Sequence, residues 1–186
     1  MTIGADPPAS EAGLIEALRG SIRDIPDHPK PGIVFKDITP LLANGALYRA
    51  ACELLAAPFR GDGITHVVSI ESRGFLFGGP VAISLGAGLV PVRKPGKLPF
   101  RTRREEYALE YGTDALEVHE DAIFDGARVL IVDDVLATGG TAAAATRLVQ
   151  HLGGMVVGST FLIELAFLAG RARLTEQRVS SAIVYR

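Results

Sequence analysis

The strongest constraint on the fold is a four-residue run at 129–132, VLIV, with no polar residue in it. A strand with one face in water alternates apolar and polar residues. A continuous β-branched run instead fits a strand covered on both faces. This run leads directly into Asp133-Asp134, then a loop containing Thr138-Gly139-Gly140-Thr141. The stretch that follows, TAAAATRLVQHL to residue 152, predicts a helix. The same alternation recurs elsewhere. A β-rich run at 66–70 (HVVSI) precedes a helical stretch to about residue 85, and short strands are predicted at 89–92, 107–111, 115–119, 155–163 and 181–185. Ser10 reads as the N-cap of a first helix, and 45–59 is helical in pattern. Strands alternating with helices predict an α/β fold with a mostly parallel central sheet flanked by helices.

A chain of 186 residues fits one domain over 1–186, with residues 1–9 as a loose end. Apolar residues at 48% and charged residues at 22% are enough to build a core. Nineteen basic against twenty-one acidic side chains, a net charge of -2, exclude a broadly basic nucleic-acid surface. One cysteine excludes an intrachain disulfide and a multi-cysteine zinc site, and predicts a reducing, cytoplasmic setting. No apolar run approaches the roughly 20 residues that span a bilayer, so no membrane role is expected. Cys52 reads as a buried small hydrophobe. His28, His66, His119 and His151 lack ligand spacing.

The charge balance is nevertheless uneven. Arg93, Lys94, Lys97, Arg101, Arg103 and Arg104 place six of the nineteen basic residues within twelve positions. Pro95, Gly96 and Pro99 break the same segment. It is too broken for a helix and too charged for a core, so it predicts a mobile loop over 93–111 that closes on an anionic substrate. Arg101, Arg103 and Arg104, followed at once by Glu105 and Glu106, read as solvated.

The 133–141 segment has a chemistry of its own. Ligands of open α/β sheets bind beyond the carboxyl ends of the strands. Two glycines let backbone N–H groups converge, a helix N-terminus adds its positive end, and two threonine hydroxyls add donors. That set suits one phosphate group. The acid pair before it would repel phosphate but can accept hydrogen bonds from sugar hydroxyls. Together they describe a site for a ribose 5-phosphate. Neither G-x-x-x-x-G-K-[ST] nor a strand followed by G-x-G-x-x-G is present.

This stretch resembles the 5-phosphoribosyl 1-pyrophosphate (PRPP) motif of type I phosphoribosyltransferases. PDHPKPGIVFKDITPLL at 26–42, ESRGFLFG at 71–78, VRKPGKLP at 92–99 and LEYGTDALEVHEDAI at 109–123 are similar, in order, to the adenine phosphoribosyltransferase family. The similarity covers most of residues 22–165. It implies the type I phosphoribosyltransferase fold, with a small N-terminal hood at 26–42. The implied reaction joins adenine and PRPP to give AMP and pyrophosphate, with Mg²⁺ as cofactor, bound mainly through PRPP and water.

Residue by residue, the resemblance implies that Ala137, Thr138, Gly139, Gly140 and Thr141 cradle the 5-phosphate. Asp133 and Asp134 hold the ribose hydroxyls. Arg73 reaches the pyrophosphate, with an ion pair inside the fold as its other reading. Lys97 is the main pyrophosphate contact of the loop, assisted by Arg93 and Lys94. One of these cations serves the neighbouring subunit in this family, which implies a homodimer. Glu110 exchanges a proton with the purine N7. Phe35 stacks on the purine, with plain core packing as its alternative. Backbone groups of Val34 and Lys36 read the 6-amino edge, and Val135 covers the other face. Lys36, Glu71 and the Phe100-Arg101 pair depart from the commonest family residues. Two other functions stay open on these residues: transfer to hypoxanthine, guanine or xanthine, and a PRPP-sensing regulator without catalysis. The regulator reading expects an added DNA-binding module, for which the residues before 22 are too few. No role is expected of the residues after 165.

Overall fold

The structure is a computed structural model and describes residues 10–108 and 113–186. The chain packs as two units, the first ending at Leu54 and the second beginning at Leu55.

In the first unit, helix α1 (Glu11–Gly20) starts where expected: Ser10 is extended and its hydroxyl accepts the Gly13 N–H at 3.2 Å. The proline-rich segment then holds two short strands that its composition hides, β1 (Arg23–Ile25) and β2 (Phe35–Asp37). They pair antiparallel, Asp24 opposite Lys36 and Ile25 opposite Phe35. Helices α2 (Thr39–Ala43) and α3 (Gly45–Ala56) follow. Cys52 is buried on α3, and burial, the main influence, raises its thiol to about 11. It is a packing residue, as its setting among Ala and Leu suggested.

The second unit is built on a five-stranded parallel sheet in the order β4-β3-β7-β8-β9. Its strands are β3 (His66–Ile70), β4 (Gly88–Val92), β7 (Arg128–Leu136), β8 (Met155–Leu165) and β9 (Arg178–Tyr185). Val129, Leu130, Ile131 and Val132 are all fully buried in the middle strand, as a run without polar residues requires. Helix α4 (Gly74–Leu85) connects β3 to β4, and α5 (Gly140–His151) connects β7 to β8. A separate antiparallel hairpin, β5 (Thr102–Ala108) and β6 (Thr113–His119), pairs over seven residues. Its Tyr107, Leu116 and Val118 share one core with Ile70, Val129, Ile131 and the α5 residues Ala144, Ala145 and Leu148. Among the described residues, no helix is long and apolar enough to cross a membrane.

Several boundaries differ from expectation. β7 runs on through Leu136 instead of stopping at Val132, and β9 begins at Arg178. The segment expected as a loop over 93–111 contains strand β5, whose charged residues pair across the hairpin and with α5: Glu105 accepts from Arg147.

The fully buried Leu148 anchors α5 in this core. Leu148→Ala costs roughly 2–5 kcal/mol of stability. Ile83→Ala, on the exposed side of α4 at 83% exposure, changes it by less than about 0.5 kcal/mol. Urea denaturation of both variants checks the pair.

Candidate active site

The order of the sheet locates the site. β3 connects to β4 on one side, and β7 connects through β8 to β9 on the other. β3 and β7 are therefore neighbours from which the chain departs in opposite directions. That switch point opens a crevice beyond their carboxyl ends. Glu71, Ser72 and Arg73 leave β3 there, and residues 137–139 leave β7.

Asp133 and Asp134 lie within β7, not in a loop after it. Asp134 is 5% exposed, while Asp133 is half-buried. The Asp134 N–H donates to Asp133 Oδ1 at 2.9 Å. Arg73 Nε stands 2.8 Å from Asp134 Oδ2. The contact is an ion pair by distance, and Asp134 Oδ2 is buried without a hydrogen-bond donor. Burial raises both carboxyls above the usual range. The negative Asp134 raises Asp133 further, and Arg73 pulls Asp134 the other way. An added cation or a row of hydroxyl donors relieves this pair.

The phosphate-type loop follows. Gly139 has φ +78, a conformation that side chains rarely adopt. α5 starts at Gly140 with no side-chain cap, and Ala143 N–H to Gly139 O at 3.0 Å is an opening bond of the helix. The N–H groups of the first turn have no acceptor within the helix and so favour an anion. A hollow of about 60 Å³ is lined by Asp133, Val135, Ala137, Thr138, Gly139 and Thr141. A larger groove of about 560 Å³ runs along α5 past Thr146, Arg147, Gln150 and Arg173, and its lining holds none of these strand-end residues. The smaller hollow is the one that adjoins the strand-end acid and the glycine loop.

The basic segment is tied to acids. Arg93 forms a backbone bridge with Glu117, N–H to O at 2.9 and 2.7 Å. The Glu71 carboxylate accepts from Lys97 Nζ, from the Lys94 N–H at 3.0 Å and from Arg93 Nε at 3.2 Å. Burial works to raise its pKa, but these donors outweigh it and hold the group at about 2. Lys94 Nζ donates to Tyr107 Oη at 3.0 Å and to Asp114. Arg104 lies 3.0 Å from Glu106 and Arg103 lies 3.6 Å from Glu120, both largely exposed, as expected of solvated residues.

In the first unit, Phe35 meets the His28 ring edge-on at 5.2 Å, and Lys36 Nζ donates to Asp24 at 2.7 Å. Val34 is exposed. Glu110, the expected proton-transfer residue, lies outside the described residues.

Sequence reasoning passed over three features of this region. Glu71 was noted only as a departure, yet it gathers the loop cations. Tyr107 and Asp114, opposite each other in the hairpin, hold Lys94. Gly170 is the third. It touches the phosphate loop through backbone atoms alone.

Glu71 titrates near 2 in the folded chain and near its ordinary 4.5 once unfolded. A depressed carboxyl contributes stability above its unfolded value and loses it as pH falls toward the folded one. Glu71→Gln therefore flattens the fall in stability between pH 4.5 and 2. Denaturation across that window checks it, and a wild-type slope overturns the Glu71 assignment.

Comparison with known proteins agrees with this geometry. The phosphoribosyl transferase domain family matches residues 37–185. The chain is 55% identical over 179 residues to the adenine phosphoribosyltransferase of Myxococcus xanthus, covering 96% of this chain and 97% of that one. It is 57% identical over 169 residues to the enzyme of the same name from Edwardsiella ictaluri, covering 91% and 92%. Among solved structures, the adenine phosphoribosyltransferase of Rhodothermus marinus superposes with a TM-score of 0.90 at 56% identity, covering 94% of this chain and 99% of that one. The Saccharomyces cerevisiae enzyme, solved with adenine and an imino-altritol bisphosphate, gives 0.86 at 41% identity, covering 92% and 99%. With the type I phosphoribosyltransferase fold and the strand-end motif both in place, the chain belongs to the phosphoribosyl transferase family, in its adenine phosphoribosyltransferase branch.

Proposed function

We propose that this chain transfers the 5-phosphoribosyl group of PRPP to adenine, giving AMP and pyrophosphate in purine salvage. The observation that carries the reading is the hollow beyond the end of β7, where an anion-favouring loop adjoins the Asp133-Asp134 pair. Residues 137–141 bind the 5-phosphate through first-turn N–H groups and the threonine hydroxyls. Asp133 and Asp134 accept hydrogen bonds from the ribose hydroxyls and fix the sugar. Arg73, Arg93, Lys94 and Lys97 balance the charge of the departing pyrophosphate. In this reading Lys97 exchanges Glu71 for a phosphate oxygen. Val135 packs on the purine. Within the first unit, Val34, Phe35 and Lys36 keep the adenine-reading role that the resemblance implies.

Mg²⁺ fits the donors present. Asp134 offers a buried oxygen without a hydrogen-bond donor, and both carboxylates are hard ligands. The ion is carried mainly by the substrate's phosphates and water. When bound, the ion supplies further neutralisation of pyrophosphate. The proposal includes a homodimer and a cytoplasmic location, both supported by family membership.

Turnover is tested with adenine, hypoxanthine, guanine and xanthine, each with PRPP and Mg²⁺, by following pyrophosphate release. Adenine is the base consumed. Turnover of hypoxanthine but not adenine overturns the reading, and tight PRPP binding without turnover of any base points to a regulator.

Glu110 is assigned the proton exchange at purine N7. Glu110→Ala lowers kcat by about 10²–10⁴-fold and leaves PRPP affinity within about threefold. Unchanged kcat refutes the assignment.

A further inference from the structure

The turn after β8 closes on the phosphate loop with no side chain between them. A Cβ on Gly139 would lie 2.3 Å from the Gly170 carbonyl oxygen. A Cβ on Gly170 would lie 2.1 Å from the Ala137 carbonyl oxygen and 2.8 Å from the Gly139 nitrogen. Neither position has room for a methyl group, so the two segments meet backbone to backbone.

Gly170 opens a short 3-10 turn, Gly170–Arg173, that needs an anchor to stay in contact. Glu164, near the end of β8, supplies one. It is 6% exposed and accepts from Arg171 Nε at 3.0 Å, from Arg171 Nη2 and from Ser181 Oγ at 2.7 Å. The same guanidinium donates through Nη1 to the Val179 carbonyl at 2.7 Å. One side chain thus ties the turn to both β8 and β9. The two-point ion pair fixes orientation as well as distance. At the end of the turn, Leu174 is buried with Leu136, Ala142 and Phe161, beneath the start of α5. The β8–β9 ladder already runs from Gly158–Arg178 to Leu165–Tyr185, so the sheet has its own bonds. What the ion pair adds is the place of the turn.

We propose that Glu164 and Arg171 are positioning residues for the 5-phosphate. They hold the Gly170 backbone as a buttress that keeps 137–139 in an anion-binding shape. The proposal rests on the phosphate-loop reading given above.

The test uses Glu164→Gln, Arg171→Lys and Gly170→Ala in the full chain, with two readouts. Amide hydrogen exchange at 137–141 reports the loop directly, and the KM values for PRPP and adenine report its use. Glu164→Gln and Gly170→Ala speed exchange at 137–141 and raise the PRPP KM about tenfold, the scale of a sub-ångström misplacement. The adenine KM stays within about twofold, and Arg171→Lys falls between these variants and wild type. If Gly170→Ala fails to fold, Glu164→Gln carries the test, because it preserves shape. A lower Tm with unchanged exchange and PRPP KM overturns the proposal in favour of a stabilising ion pair. Faster exchange with an unchanged PRPP KM overturns the assignment of the loop to the 5-phosphate. If the wild-type chain does not turn over PRPP, the proposed function fails, and the exchange readout still decides whether Glu164 and Arg171 hold the loop.

Discussion

Two carboxylates side by side, near the end of a strand covered on both faces, set the terms for everything around them. Asp133 and Asp134 continue the run that buries Val129 to Val132 completely. Water cannot solvate them freely, and both pKa values rise for that reason. The compensating charge comes from the neighbouring strand. Ser69 of β3 is in register with Val132 of β7, so the residues leaving β3 arrive beside the acid pair, with Arg73 2.8 Å from Asp134. The parallel pairing of β3 with β7 thus makes a cation and two acids meet.

Opposite charge requirements lie next to each other here. The strand end favours cations and hydroxyl donors, while the following helix start favours anions. A ligand with one charge type satisfies only half of this arrangement. A phosphorylated sugar satisfies both, with hydroxyls for the acids and phosphate for the helix. The net charge of -2 averages these needs away. Glu71 repeats the pattern on a smaller scale, because its single carboxylate organises donors from three residues of the basic segment.

Local chemistry made much of this legible from sequence. VLIV, TGGT and the alanine-rich helix each state their structure within a few residues. The length of β7 was not legible, because Asp133-Asp134 look like a strand end until Arg73 is placed beside them. β5 was hidden in the same way: RTRREEYA reads as solvated, yet Glu105 meets Arg147 and Tyr107 enters the core. The part played by 164–174 was the least legible. Gly139 and Gly170 touch through main-chain atoms, and a main-chain contact leaves no pattern of side chains to read. The TGGT loop was visible in the sequence, and the turn that touches it was not.

The two fixed ends of the basic segment make it a tether of set length. Arg93 is pinned to Glu117, and Thr102 to His119, two positions further along the same strand. The span between the pins is eight residues, and its ends lie on opposite sides of β6, because Arg93 and Arg104 both face Glu117. The excursion of any residue from β6 is limited by its distance along the chain from the nearer pin. Lys94, one step from Arg93, moves little and serves as a fixed charge. Lys97 sits four steps from one pin and five from the other, so its backbone can travel up to about 14 Å. It has the longest reach of any cation between the pins, so the loop's length gives it the widest excursion from β6.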